Sequence, residues 1–85
     1  MKFRELDCFK KAYQKLPDTI QKKTDKALTL LFSNPRHPSL RVKKLENVSN
    51  IWALRVDKRH RLTFQTDKEF YILRNVGQHN IIDNP

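Results

Sequence analysis

Two arginines have the residue type and spacing that suit chemistry on a phosphate group. Arg55 and Arg61 each alternate with apolar residues, in the segments around Leu54 and Leu62. If these two segments pair as a β-hairpin, both guanidinium groups project from the same face, away from the core. Such a pair would bind an anion. The alternative interpretation is a solvated sheet face on which nearby Asp and Glu residues neutralise the arginines.

A histidine near the end of the chain is the second candidate for chemistry. His79 stands two residues after Gly77, at the end of the last apolar segment, and strand ends are common positions for active-site residues. Imidazole titrates near neutral pH, so it can exchange a proton with a ribose hydroxyl or a leaving oxygen, as cleavage of a phosphodiester requires. A structural or merely exposed histidine is the alternative. His60 is expected to pack near a turn, and His37 has no supporting pattern.

The basic charge of the chain points to a polyanionic partner. The 85 residues include 18 Lys and Arg against 9 Asp and Glu, a formal net charge of +9, and segment 36–61 holds eight basic and two acidic residues, a net charge of +6. Such a surplus attracts nucleic acid, although it could also serve solubility alone. The predicted phosphate-binding face comprises Lys43, Lys44, Arg55, Arg59 and Arg61, with Arg41 and Lys58 as further contacts.

Helical spacing dominates the first half of the sequence. From Leu6 to Leu16 apolar residues recur at intervals of three and four, which predicts an amphipathic helix that Pro17 ends. Asp18, followed three residues later by Gln21, suggests a capping box at the start of a second helix that ends near Ser33. Its predicted buried stripe is Ile20, Ala27, Leu28, Leu31 and Phe32. Four residues give no reliable period, so the sequence does not decide whether residues 1–4 form a strand ahead of this helical hairpin.

Alternation replaces helical spacing after Pro38. The segments Trp52 to Val56 and Arg61 to Gln65 each alternate between core and non-core residues, as strands do. The run Phe70 to Leu73 is apolar on both faces, which is typical of a central strand, and Leu40 to Leu45 predicts one more strand. Short connections at residues 57–58 and 66–68 predict hairpins. The sequence therefore predicts an α+β fold with an antiparallel sheet.

Length and composition exclude several classes of protein. A chain of this size supports one hydrophobic core, so we expect a single domain over residues 1–85. Cys8 has no disulfide partner and is expected to be a small buried hydrophobe in a reducing cytoplasm. No segment resembles a signal peptide, and no apolar run approaches the roughly 20 residues of a membrane span. Metal-ligand spacing is missing and Gly77 is the single glycine, so we expect neither a metal nor a nucleotide cofactor.

Several short motifs follow one another in order along almost the whole chain. Each is loose by itself, but the arginine strand pair followed by a Gly-x-His ending is more specific. In this order they resemble the RelE/ParE superfamily, the toxins of type II toxin–antitoxin systems. The motifs are Phe9-Lys10-Lys11, Leu16-Pro17, Asn34-Pro35, Pro38-Ser39-Leu40, Lys44-Leu45, Trp52-Ala53-Leu54-Arg55-Val56, His60-Arg61-Leu62-Thr63-Phe64 and Val76-Gly77-Gln78-His79.

The resemblance implies a fold, an activity and a set of partners. The implied fold is a helical hairpin packed on a twisted antiparallel sheet of three to four strands. Many members of the superfamily cleave messenger RNA in the ribosomal A site without a metal, and a cognate antitoxin covers their basic face. The resemblance therefore implies an antitoxin, mRNA and the ribosome as partners, with no membrane and no small-molecule cofactor.

The resemblance also implies roles for single residues. Arg61 matches the arginine that contacts the scissile phosphate in the ribonuclease branch, and His79 matches the histidine or arginine after the last strand. Arg55 and Lys43 fall where other members place basic or acid–base residues. An aromatic residue commonly follows the Gly-x-His motif, and Ile81-Ile82-Asp83 stands there instead. Two alternatives stay open: a non-nuclease similar to the ParE branch that inhibits gyrase, and an inactive member that only binds its antitoxin.

Overall fold

The computed structural model describes residues 2–46 and 48–85, so Met1 and Asn47 lie outside the described residues. The elements are β1 (Lys2–Glu5), α1 (Asp7–Gln14), α2 (Asp18–Ser33), a 3-10 turn (Pro38–Leu40), β2 (Lys43–Lys44), β3 (Trp52–Arg55), β4 (His60–Asp67), β5 (Phe70–Gln78) and a second 3-10 turn (His79–Asp83). The strands form one sheet in the order β1-β5-β4-β3-β2, in which β1 runs parallel to β5 and the other neighbours are antiparallel. The predicted α+β class is confirmed, with one strand more than expected.

The additional strand is β1, which makes the sheet mixed rather than antiparallel. It pairs with β5 from Lys2 opposite Phe70 to Glu5 opposite Leu73. Two parallel strands cannot be joined by a hairpin, and β5 lies far from β1 along the chain. All four residues of β1 are also exposed. The sequence therefore contained neither a turn signal nor an alternation that could have decided this strand.

The two helices form where the spacing predicts them, but their ends differ from the prediction. The first helix stops at Gln14, two residues before Leu16. Pro17 is the N-cap of α2, and no side chain caps this end of the helix. The predicted capping box is wrong, because Gln21 instead donates from Nε2 to the carbonyl of Tyr13 at 2.9 Å and ties the two helices together. None of the described helices is long and apolar enough to span a membrane.

The burial of two helical residues also differs from the prediction. Cys8 is exposed, and its Sγ lies 2.9 Å from the carbonyl oxygen of Arg74 in β5. Phe32 is 58% exposed, whereas Leu31 is 1% exposed. Successive residues of an α-helix are about 100° apart, so the helix that buries Leu31 against the sheet turns Phe32 toward solvent.

The strand predicted from Leu40 to Leu45 is much shorter in the structure. Leu40 ends a 3-10 turn, and Arg41 adopts the left-handed conformation with φ of 45°, which interrupts an extended chain. Only the two residues of β2 remain to pair with β3. The hairpins between β3 and β4 and between β4 and β5 form as predicted.

Apolar residues pack on both faces of the sheet, in two clusters of different size. The larger cluster joins the helices to one face, and the smaller one lies on the other face, where Ile82 packs against Leu45, Ile51 and Ala53. The larger cluster consists of Phe9, Ala27, Leu31, Leu40, Leu54, Leu62, Phe64, Tyr71, Leu73 and Val76. The face opposite the helices is thus only partly covered, and polar side chains can occupy the remainder.

Candidate active site

The hairpin of β3 and β4 brings the two predicted arginines together. Arg55 and Arg61 lie directly opposite each other across the two strands, a position in which Cβ atoms are about 4.5–5.5 Å apart. Their neighbours Leu54 and Leu62 belong to the helix-side core, so both arginines point to the other face of the sheet. Lys43 lies opposite Ala53, two residues before Arg55 in β3, so its side chain points to this face as well. Three of the four residues predicted to be catalytic therefore share one face.

Backbone carbonyls hold the guanidinium group of Arg61. Its Nη1 donates to the carbonyl of Asp57 at 2.7 Å and to that of His60 at 2.9 Å. No acidic side chain of the described residues forms an ion pair with it. Its remaining N–H groups are therefore available to an incoming anion while one edge of the group is fixed by the protein.

The charges around Arg61 favour an anion in this place. Burial lowers the pKa of the Arg61 guanidinium, and the positive charges of Arg55 and Arg41 lower it further, whereas Asp57 opposes the change. A guanidinium group stays protonated in proteins even so, and three positive charges repel one another here. A phosphate placed among them would relieve this repulsion. We name Arg41, Arg55 and Arg61 the arginine cluster.

The turn between β3 and β4 is organised by one carboxylate. Oδ1 of Asp57 accepts from the backbone N–H groups of Arg59 at 2.9 Å and His60 at 2.8 Å, and from Nδ1 of His60 at 2.9 Å. Oδ2 lies 3.5 Å from Nζ of Lys23 in α2. Burial alone would raise the pKa of Asp57, but the hydrogen bonds from His60 and Arg59 outweigh it and lower the pKa from 3.8 to about 2. Asp57 is thus ionised at neutral pH.

His79, the fourth residue predicted to be catalytic, lies beside this turn. It is exposed, it begins the second 3-10 turn, and its backbone N–H donates to the carbonyl of Arg59 at 2.8 Å. Gly77, which is opposite Arg61, precedes it by two residues, a separation of roughly 6.5 Å along a strand. Lys58 and Arg59 are exposed in the turn itself. The backbone therefore places His79, Lys58 and Arg59 at the same end of the sheet as the arginine cluster.

One predicted contact lies elsewhere. Lys44 is opposite Trp52, whose side chain packs against the helix-side core, so the pleat directs Lys44 away from the face that carries Lys43. Lys44 nevertheless lines the same cavity as Lys43, and its contact with RNA stays a prediction.

Sequence reasoning missed the role of Asp57 and placed His60 only loosely. Aspartate is common in turns because its carboxylate can bond the backbone N–H two residues later. That was the one signal in the sequence, and it did not show that the turn would carry the carbonyls that bind Arg61. Among the described residues, no three His, Cys, Asp or Glu side chains converge as metal ligands would.

Asn84 and Pro85 are hydrogen-bonded to side chains on the sheet face that carries Arg61. Thr63, fully buried in β4, donates from Oγ1 to the carbonyl of Pro85 at 3.0 Å, and Nδ2 of Asn75 donates to the carbonyl of Asn84 at 3.2 Å. These contacts hold the terminal segment over the face that carries Arg61. A cavity of about 580 Å³ opens between this segment and β2, and Lys43 is part of its lining. Its lining carries charges of both signs, because Glu46 and Asp83 stand beside the lysines.

Comparison with known proteins places this fold among toxins. No family profile and no curated protein sequence matches the chain. A chain of the RelB-RelE antitoxin-toxin complex from Methanococcus jannaschii is 20% identical over 99% of this chain and 96% of that chain, with a TM-score of 0.74. The YoeB/ParE toxin from Agrobacterium tumefaciens is 14% identical over 93% and 99%, with a TM-score of 0.77. A chain of the E. coli RelBE toxin-antitoxin complex is 20% identical over 91% and 94%, with a TM-score of 0.72.

These similarities cover nearly the full length of each chain, so the protein has the fold of the RelE and YoeB toxins. The fold that the sequence motifs implied is confirmed. Identities of 14–20% show a shared architecture; what the site does must be argued from its own residues.

Proposed function

We propose that this protein is the toxin of a type II toxin–antitoxin system, an endoribonuclease that cleaves mRNA on the ribosome in the cytoplasm. The observation that carries the proposal is the arginine cluster, in which Arg61 is held by carbonyls next to two further guanidinium groups. Arg55 and Arg61 lie on the sheet face and Arg41 in the loop before β2, and such a concentration of positive charge is suited to a polyanion. His79 lies at the adjoining strand end, where it can reach the same substrate.

The chemistry follows from the groups that the site offers. The 2′-hydroxyl of the RNA attacks the adjacent phosphorus, and the bond from phosphorus to the 5′-oxygen breaks, which leaves a 2′,3′-cyclic phosphate and a 5′-hydroxyl. His79 exchanges a proton with the attacking or the leaving oxygen. Arg61, with Arg55, stabilises the negative charge that builds up on the phosphorane. Lys43 lies one row away and neutralises a neighbouring phosphate.

An antitoxin is the proposed stable partner of this toxin. Solved neighbours of the same fold are antitoxin-toxin complexes, and a chain of net charge +9 attracts an acidic or amphipathic segment. Purification of the tagged chain from its native host should recover a small protein in near-equal amount. Recovery of the chain alone would count against this partner.

The activity is tested by expressing the chain without an antitoxin and mapping RNA 5′ ends in growth-arrested cells. We expect cuts within translated codons. Arg61→Ala should lower the cleavage rate by about 10²–10³-fold, as loss of one preorganised transition-state contact does, and His79→Gln by about 10²–10⁴-fold. Lys22→Ala, which removes an exposed charge from α2, is the matched control and should cleave like the parent. Growth arrest without RNA cleavage by the parent would refute the ribonuclease.

A toxin without ribonuclease activity is the second candidate. The observation that favours it is Ile82, which packs against the smaller core cluster. It stands in the segment after Gly77-Gln78-His79, where the superfamily that the sequence resembles commonly has an aromatic residue. Such a protein would inhibit gyrase or bind its antitoxin only, with the basic face as a contact surface. If folded Arg61→Ala and His79→Gln variants arrest growth as strongly as the parent, this candidate replaces the ribonuclease.

A further inference from the structure

The β3–β4 turn connects three parts of the molecule through a single side chain. The Asp57 carboxylate accepts three hydrogen bonds from within the turn and lies 3.5 Å from Lys23 of α2. The carbonyl of Asp57 accepts from Arg61, and the carbonyl of Arg59 accepts from the backbone of His79. Two residues of the proposed site are therefore bonded to backbone carbonyls of this turn, Arg61 through its guanidinium group and His79 through its backbone N–H.

We propose that Asp57 is a positioning residue: its carboxylate fixes the turn in the conformation whose carbonyls orient the Arg61 guanidinium for the scissile phosphate. Asp57 does not itself touch the substrate in this arrangement, because its carboxylate oxygens are taken up by the turn and by Lys23. The role in catalysis rests on the function proposed above, whereas the orienting effect on Arg61 does not.

The geometry explains why a carboxylate is needed at this position. One oxygen must accept from two consecutive backbone N–H groups and from Nδ1 of His60, all at 2.8–2.9 Å. An ionised carboxylate only accepts, and it can accept several bonds at one oxygen. An amide can replace part of this set, but it lacks the charge that attracts Lys23. In Asp57→Ala, the methyl side chain leaves two backbone N–H groups of the turn without a partner, so the turn no longer fixes the direction of its carbonyls.

The cleavage experiment compares Asp57→Ala in two backgrounds, the parent and Arg61→Ala. If Asp57 acts through Arg61, the substitution lowers the single-turnover cleavage rate of the parent by about 10–100-fold, as a displacement of about 1 Å can do. In the Arg61→Ala background it changes the rate by less than about twofold, since coupled residues are not additive. An equal loss in both backgrounds, or no loss in the parent, would overturn the proposal. Asp57→Asn gives an intermediate rate and serves in the same cycle if the alanine variant does not fold.

The matched control removes a carboxylate from the other hairpin. Asp67 lies at the exposed end of β4, and its carboxylate accepts no hydrogen bond from the described residues. The cleavage rate of Asp67→Asn should therefore equal that of the parent.

A second measurement separates this proposal from the ribonuclease activity. The Nε–H signal of Arg61 in ¹⁵N NMR reports the order of its side chain even in a protein that cleaves nothing. We expect an ordered signal in the parent and in Asp67→Asn, and a mobile, shifted signal in Asp57→Ala. If the parent does not cleave RNA but shows this pattern, the function fails and the positioning stands. An Arg61 signal that is unchanged in folded Asp57→Ala refutes the positioning.

Discussion

The low pKa of Asp57 predicts how the stability of the protein depends on pH. The carboxyl has a pKa of about 2 in the folded protein against 3.8 as the ordinary value, a difference worth about 2.4 kcal/mol at 1.36 kcal/mol per pKa unit. The side chain is 18% exposed and its turn lies at the surface, so solvent screening reduces the expected contribution to about 1–2 kcal/mol. Because the folded pKa is depressed, this stabilisation is complete above pH 3.8, falls to about half near pH 3, and is nearly lost near pH 2.

The substitution that tests this linkage is Asp57→Asn. Urea denaturation followed by circular dichroism gives the free energy of unfolding of both proteins at several pH values. We expect the variant to be less stable by about 1–2 kcal/mol near pH 7 and the difference to shrink as the pH falls from about 4 to about 2. The control Asp67→Asn should differ from the parent by no more than about 0.5 kcal/mol throughout. A difference for Asp57→Asn that does not shrink in acid would show that its hydrogen bonds do not favour the ionised form.

Three further predictions follow from the sheet. RNA affinity measured by filter binding should fall steeply as the salt concentration rises. Lys43→Ala should reduce the slope of log affinity against log salt concentration by about one. Lys44→Ala should leave the slope unchanged, because the pleat directs Lys44 to the other face, and equal slopes for both variants would contradict this register. Gly77→Ala should cost about 1–3 kcal/mol by overpacking, because a Cβ there would meet Cγ2 of Ile81 at 2.9 Å, and adding Ile81→Ala should recover much of this loss in urea denaturation. Arg55→Gln should raise the free energy of unfolding by about 0.2–1 kcal/mol through relief of cross-strand repulsion, while it weakens RNA binding; a loss of stability would argue against the repulsion.

The sequence predicted the features that depend on local spacing. Intervals of three and four residues located both helices, and alternation placed Arg55 and Arg61 on one face, since a hairpin between neighbouring segments leaves little freedom of register. His79 was singled out because it follows Gly77 at the end of the last apolar segment. These features need only the immediate neighbours in the chain.

Features that depend on distant contacts were not predicted. The strand β1 pairs with residues almost seventy positions later, and the exposure of Cys8 depends on how α1 sits against β5. The role of Asp57 in the site also emerged only with the fold, because its carboxylate serves the site through a carbonyl bonded to Arg61 and through contact with Lys23. A sequence pattern shows that a turn exists, but not which side chain the turn will hold.

The energetics of the arginine cluster connect the fold to the proposed function. Burial and two neighbouring positive charges disfavour the charged form of Arg61 in the free protein, and cross-strand pairs of like charge are destabilising. A sheet selected for stability alone would not place Arg55 opposite Arg61. The arrangement becomes favourable when a phosphate binds, because the short distances between the arginines that cause repulsion then let each positive charge attract the same phosphate. The fixed carbonyls of the Asp57 turn keep the guanidinium in place before the substrate arrives, so little reorganisation remains for the reaction itself. The strain of the free site is thus the physical reason to expect a polyanionic substrate on this face.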